Sequence, residues 1–225
     1  MAEGQDERNA IWNLNNGLDA LLAAWNITDY QLFVTGEGNF RYQIYPEYKG
    51  NRPKERPQHL HACKSHLVHE FGALCSNGRE ADDEIGIAAY KHLELGDDYT
   101  IVSIDKDLNM IEGLHYSPEI TRGGKVVKEA RRYHVSPTDA IRFFYYQLLV
   151  GDTTDNIKGV AGVGKVKAER ALSGLTTERD LYDVVQGLYG SEEEMEMNAK
   201  VLWIWRKEND DVVERWQTFL SSDQT

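Results

Sequence analysis

Apolar residues recur at Ile11, Trp12, Leu14, Leu18, Leu21, Leu22 and Trp25, a helical spacing that predicts an amphipathic helix over residues 9–25. Residues 30–35, Tyr-Gln-Leu-Phe-Val-Thr, follow as a short β run, so the chain opens helix then strand. A polar loop with Pro46, Pro53 and Pro57 leads into helices predicted over residues 60–74 and 81–95. Residues 99–104, Tyr-Thr-Ile-Val-Ser-Ile, form an apolar, β-branched run of the kind buried on both faces of a parallel sheet. Residues 115–133 are polar and read as a hairpin about Gly123-Gly124; from Ser136 onward only helical patterns occur. The pattern therefore predicts an α/β core over residues 1–133 and a helical subdomain over 134–225, with no repeat and no low-complexity tract.

At 225 residues the chain is long enough for one sizeable core with an appended subdomain. No apolar run approaches the roughly 20 residues that cross a bilayer, and the acidic N-terminus lacks a basic region followed by an apolar one. These features predict a soluble cytoplasmic protein with no membrane partner. Cys63 and Cys75 are the only cysteines, without a C-x-x-C pair, and read as reduced thiols. The formal charge of −12 argues against a nucleic-acid partner until its distribution is considered. Basic residues gather at 41–56, 122–132 and 158–170, while acids crowd the N-terminus, residues 192–196 and three short clusters. A positive track is compatible with that arrangement, as is ordinary solvated surface charge.

The three acidic clusters are Glu80-Ala-Asp82-Asp83, Asp105-Lys-Asp107 and Asp152-Thr-Thr-Asp155. Each sits at a predicted element boundary. Glu80, Asp82 and Asp83 open a helix, where the macrodipole favours acids whether or not a metal binds. Asp105 and Asp107 follow the end of a strand, and residues two apart in extended chain face the same way; a turn-forming pair is the alternative. Asp152 and Asp155 at i, i+3 share one face of a helical turn, though Asp152 alone is also a reasonable cap. Carboxylates that converge repel unless a cation neutralises them, and hard ions such as Mg²⁺ take oxygen ligands, which is the equipment of phosphodiester cleavage.

The last acidic cluster runs into Gly159-Val-Ala-Gly162-Val-Gly164-Lys165 and then an apolar-periodic helix. Glycines permit the tight turn and close approach to phosphate of a helix-hairpin-helix, and Lys158, Lys165 and Lys167 flank it. The G-x-x-x-x-G-K-[ST] spacing of a nucleotide-binding loop is lacking. His59, His61, His66 and His69 around Cys63 raise zinc as an alternative, but H-E-x-x-H is lacking too.

Taken in order, Phe40-Arg41 with Tyr45-Pro-Glu-Tyr48-Lys49-Gly-Asn-Arg52, then Glu80-Ala-Asp82-Asp83, Asp105-x-Asp107 and Gly151-Asp152-x-x-Asp155-Asn-Ile-x-Gly159-x-x-Gly162-x-Gly164, resemble the bacterial and bacteriophage 5′-to-3′ exonuclease or flap endonuclease family. The resemblance runs from about residue 11 onward. It implies a resolvase/PIN-like parallel sheet with helices on both faces, a short arch at about residues 46–75, and a helix-hairpin-helix subdomain. It also implies a Mg²⁺-dependent, structure-specific 5′ nuclease of replication or repair, phage-encoded and monomeric, acting on 5′ ends, flaps or nicked duplex in the host cytoplasm. In that reading Glu80 and Asp82, with Asp83 nearby, serve one Mg²⁺ and Asp105, Asp107 and Asp152 a second, with Asp155 in its outer shell, Mn²⁺ an acceptable substitute and K⁺ at the hairpin. Lys49 and Arg52 act on the scissile phosphate, and Arg41, Tyr48, Lys158, Gly159, Gly162, Gly164, Lys165 and Lys167 contact DNA, Tyr48 by stacking on an unpaired base, with a core tyrosine as the equal alternative. The family opens with a strand ending in Asp that this sequence lacks, so an upstream segment, covalent or supplied in trans, is expected to complete the first metal site. A second family Asp falls on Gly36-Glu37-Gly38, with Glu37 as its substitute. Two further readings stand beside this one: a relative that clamps branched DNA but cuts it weakly, and a small-molecule phosphatase, against which the hairpin and basic arch speak.

Overall fold

The computed structural model describes residues 6–53 and 55–222, so residues 1–5 of the acidic N-terminus, Lys54 of the first basic stretch and residues 223–225 lie outside the described residues. The chain forms two compact units, residues 1–39 with 52–81, and residues 40–51 with 82–225; both sides of the expected 133/134 boundary lie in the second. In chain order the elements begin with α1 (Glu7–Trp25), β1 (Phe33–Val34), α2 (Arg41–Ile44), α3 (Leu60–Phe71), β2 (Leu74–Cys75), α4 (Ala81–Leu95) and β3 (Thr100–Val102). A 3₁₀ turn (Asp107–Met110) precedes β4 (Gly113–Ser117), β5 (Ile120–Arg122), β6 (Lys125–Lys128) and β7 (Arg131–Val135). Then come α5 (Pro137–Val150), β8 (Gly151–Asp152), β9 (Ile157–Lys158), α6 (Lys165–Ala171), α7 (Glu178–Leu188), α8 (Glu192–Leu202) and α9 (Val212–Ser222).

In the first unit β1 and β2 pair in parallel, Phe33 opposite Leu74, and α1 lies against α3. Asp6 caps α1 by accepting the Asn9 N–H at 2.8 Å, and Asn26 ends it in the left-handed region. Of the apolar positions that predicted this helix, Trp12 is 65% exposed and only Ala10 of the helix is buried. Two expected elements are shorter than their apolar runs. The strand over 30–35 contracts to Phe33–Val34, and the helix over 60–74 stops at Phe71, where Gly72 turns left-handed at φ +66°. The chain beyond that glycine becomes β2 instead.

In the second unit β3 and β4 are parallel, Ile101 opposite His115, and β7 adds antiparallel to β4. β5 and β6 make the expected hairpin, Gly123 and Gly124 both at positive φ in its turn. α5 supplies most of the core. Ser136 caps it, Pro137 opens it, and Phe144, Tyr145, Leu148 and Leu149 are fully buried. The Phe144 ring meets Trp203 edge-on at 4.8 Å, and Trp216 meets Tyr182 at 5.0 Å, tying α5 to α7, α9 and the segment after α8. Gly86 allows α4 to approach that same segment: a Cβ there would stand 2.2 Å from the Trp205 carbonyl oxygen. Among the described residues no helix is long and apolar enough to cross a membrane.

Candidate functional site

The acids of the second unit are assembled by two turns. Past β3 the chain is not extended as its alternation suggests: Asp105 accepts the Asp107 N–H at 3.0 Å, and that side-chain turn starts the 3₁₀ segment. Past α5, Asp152 lies in the two-residue ladder β8–β9 and not on a helical turn with Asp155. Its Oδ1 accepts the Thr154 and Asp155 N–H groups at 2.7 and 3.2 Å, which rolls residues 152–156 into a tight loop closed by Asn156 at φ +60°.

These turns bring Asp107 and Asp152 to a common point occupied by Lys106. Its Nζ lies 2.9 Å from Asp107 Oδ1 and 2.5 Å from Asp152 Oδ2. Gln147 of α5 donates to the same Asp107 oxygen at 2.6 Å, and its buried Oε1 has no protein donor. Burial raises the Asp107 carboxyl against the pull of Lys106, and the charges of Asp105 and Asp152 push the same way. Burial also acts on Asp152, but Lys106 and the two backbone N–H groups together outweigh it and hold that carboxyl below the usual range. Both shifts involve one ammonium; Asp152 ends lower because two backbone N–H groups add to it there, whereas at Asp107 burial and the neighbouring acids prevail.

A second cluster shares the 152–156 loop. Asp155 Oδ2 accepts the Tyr48 hydroxyl at 2.9 Å and stands 3.8 Å from Lys49 Nζ, which lies over the Tyr48 ring at 4.8 Å. Residues 45–51 are bolted to this loop along both backbones: Lys49 N–H to the Asp155 carbonyl at 2.9 Å, Asn156 Nδ2 to the Glu47 carbonyl at 2.9 Å, Asn51 Nδ2 to the Thr153 carbonyl at 2.5 Å, and the Tyr45 hydroxyl to the Asn156 carbonyl at 3.1 Å. Lys49 itself takes φ +56°, so its position is set by these bonds and not by local preference.

Three sequence expectations are corrected. Arg41 is buried and forks onto Asp83 at 2.6 and 2.8 Å, while its Nε and Nη2 reach the Val201 and Trp203 carbonyls at 2.7 and 2.8 Å. It is therefore not a DNA contact. Asp83, at 0% exposure, is its partner and also accepts the Trp205 N–H at 3.2 Å, which leaves it committed to the interior and not to a metal. Tyr48 is 2% exposed, the core tyrosine of the two alternatives and not a stacking platform; its hydroxyl orients Asp155.

The remaining candidates divide between the units. In the first unit Glu37 is exposed in a turn, its carbonyl accepting the Gly78 N–H at 3.0 Å, and half-buried Glu80 accepts from Asn39 at 3.0 Å. Arg52 is exposed there, and His66 and His69 bond Asn15 and the Ser65 carbonyl at 2.8 and 2.7 Å. In the second unit Asp82 is half-buried near the start of α4, and Asp105 is exposed. At the hairpin Lys158, Lys165 and Lys167 are exposed, Gly164 is the N-cap of α6, and Gly162 turns at φ +74° beside Lys167, whose Nζ reaches the Gly162 carbonyl at 2.7 Å. Gly159 serves packing, since a Cβ there would meet the Leu149 oxygen at 2.3 Å.

Among the described residues no three acidic, histidine or cysteine side chains close around a single point. The donor set nevertheless suits a hard cation: Asp107 and Asp152 already converge on a positive group, and the orphaned Gln147 carbonyl lies alongside. Lys106 and Gln147 are the residues that sequence reasoning missed. Lys106 was legible as the middle of Asp-Lys-Asp; Gln147 carries no local signal.

Residues 2–118 match the family described as 5′-3′ exonuclease, N-terminal resolvase-like domain. The chain is 27% identical over 196 residues to DNA polymerase I of Bacillus caldotenax, covering 81% of this chain and 22% of that protein. It is 32% identical over 165 residues to a 5′-3′ exonuclease of Buchnera aphidicola, covering 69% of this chain and 55% of that one. It thus spans about a fifth and about half of the lengths of these two relatives. In fold it is similar to a crystal structure of the bacteriophage T5 D15 flap endonuclease, a pseudo-enzyme-product complex with DNA and metal ions: TM-score 0.62, 18% identity, 97% of this chain and 91% of that one. With its ordered acidic and glycine motifs carried on a resolvase-like α/β fold, the chain belongs to the 5′-3′ exonuclease family.

Proposed function

We propose that this chain is a divalent-metal-dependent 5′ nuclease that hydrolyses DNA phosphodiesters at 5′ ends, flaps or nicks. The observation that carries the reading is the convergence of Asp107 and Asp152 on one cationic point, joined through a single loop to the Lys49–Asp155 pair. Asp107 and Asp152 would hold the metal, with Asp105 beside them; Mg²⁺ is the expected ion and Mn²⁺ its substitute. A bound divalent ion supplies charge neutralisation at the phosphate and acidifies water near it.

The chain's own residues supply the rest. Gln147 and the Thr154 and Asp155 N–H groups fix the carboxylates so that they need not reorganise when charge develops. Tyr48 holds Asp155, and Asp155 holds Lys49 with its ammonium ready for a phosphate oxygen. The exposed Lys158 and Lys165, with the Gly162 turn, offer backbone and ammonium contacts to duplex phosphates, which position the substrate without reading its bases.

The reading is tested by incubating the full chain with an end-labelled 5′-flap duplex, with Mg²⁺ and with chelator. Metal-dependent products bearing 5′-phosphates are expected, and Asp107→Asn should abolish them while leaving binding within a few-fold. Cleavage that persists in chelator would remove the proposal. Binding without cleavage would leave a DNA clamp.

A further inference from the structure

Most ion pairs at a protein surface can be rearranged without consequence, but the one around Lys106 joins two parts of the chain 46 residues apart. The Asp105 side-chain turn fixes the backbone through Lys106, and the 3₁₀ segment places Asp107 directly after it. Lys106 therefore reaches inward with its ammonium against both acids while its side chain remains 58% exposed. The acids are far more enclosed, Asp107 at 24% and Asp152 at 4%. Two like charges withdrawn from water need a counter-charge to remain together. A Mg²⁺-sized ion bound between these same two oxygens, at about 2.1 Å from each, would take the place the ammonium now holds, and the two positive charges would repel at that distance.

We propose that Lys106 is the resident counter-ion of the Asp107–Asp152 pair, holding the carboxylates assembled before metal arrives and giving up its place to the divalent cation. Lys106 thereby sets the metal affinity of the site, a role that rests on the metal-dependent reading above. Its exposed stem makes the exchange feasible, because the ammonium can leave toward solvent without disturbing the buried acids.

The test is calorimetric titration of Mn²⁺ alone into the wild-type chain and into Lys106→Met. The variant should bind with a roughly tenfold lower dissociation constant, because no cation has to be displaced. Its melting midpoint without metal should fall, and its rise on saturation with Mn²⁺ should exceed that of wild type. Equal or weaker Mn²⁺ binding by Lys106→Met would overturn the proposal. Should that variant not fold, the wild-type protein decides: labelling with an amine-reactive reagent, read by peptide mass spectrometry, should modify Lys106 faster at saturating Mn²⁺, and unchanged or slower labelling would overturn it. Failure of Mn²⁺ to bind either protein, by contrast, would remove the metal reading itself and the exchange with it.

Discussion

Arg41 and Asp83 lie in the interior at 2% and 0% exposure, and the guanidinium makes four hydrogen bonds, to both Asp83 oxygens and to the carbonyls of residues 201 and 203. Removing one member leaves the other charge buried without a partner. Arg41→Met should cost about 3–5 kcal/mol in urea unfolding, and the double variant Arg41→Met, Asp83→Leu should recover part of that loss. His115 makes a second residue-scale case. It is buried, bonded to the Ile111 carbonyl at 2.8 Å and stacked on Tyr133, and burial pushes its pKa below the ordinary value near 6.5, with His134 adding to the shift. The unfolded chain therefore binds the proton first. The contribution of His115 to stability is fully present above about pH 6.5 and is lost as pH falls from there toward the folded pKa, by at most about 1.4 kcal/mol per pH unit. His115→Gln should flatten the loss of stability in that window, as followed by denaturation at a series of pH values; an unchanged slope would assign it to other groups. Neither role shows in a linear reading, because a buried partner and an exposed one have the same letter.

At the scale of elements, the glycines of the 151–164 segment separate packing from contact. A Cβ at Gly159 would fall 2.3 Å from the Leu149 oxygen and 2.4 Å from the Gly151 nitrogen, both backbone, whereas one at Gly162 would have nothing within 4 Å. Gly159→Ala should thus destabilise by about 3 kcal/mol, the upper end of overpacking. Gly162→Ala should cost only about 1 kcal/mol, through its φ of +74°, yet weaken duplex binding more, because that turn faces outward. Denaturation and a DNA titration on the same two proteins would reverse this order if the roles were exchanged. The element boundaries themselves were partly legible. The helix expected over 81–95 is Ala81–Leu95, and the hairpin expected about Gly123-Gly124 is β5–β6. The expected extended Asp105–Asp107 and helical Asp152–Asp155 fail for one reason. In each case an Asp side chain accepts a nearby backbone N–H and converts the run into a turn, a competition that periodicity does not register.

For the whole molecule, a net charge of −12 sets the terms of the proposed binding to DNA. If the hairpin lysines are the phosphate contacts, affinity should fall linearly in log–log with salt, by about 0.9 per neutralised phosphate, and Lys165→Ala should lower that slope by about one. A slope unaltered by the substitution would place the duplex elsewhere. The sequence by itself determined the α-then-β opening, the helical character of the chain after Ser136, the hairpin and the ordered acidic and glycine motifs that mark the family, because periodicity, turn glycines and motif spacing are local properties. Tertiary structure alone decided which acids face one another. Asp83 and Asp152 are both Asp at an element boundary, yet one is neutralised in the core by Arg41 and the other meets Asp107 across Lys106, since long-range packing chooses each carboxylate's partner.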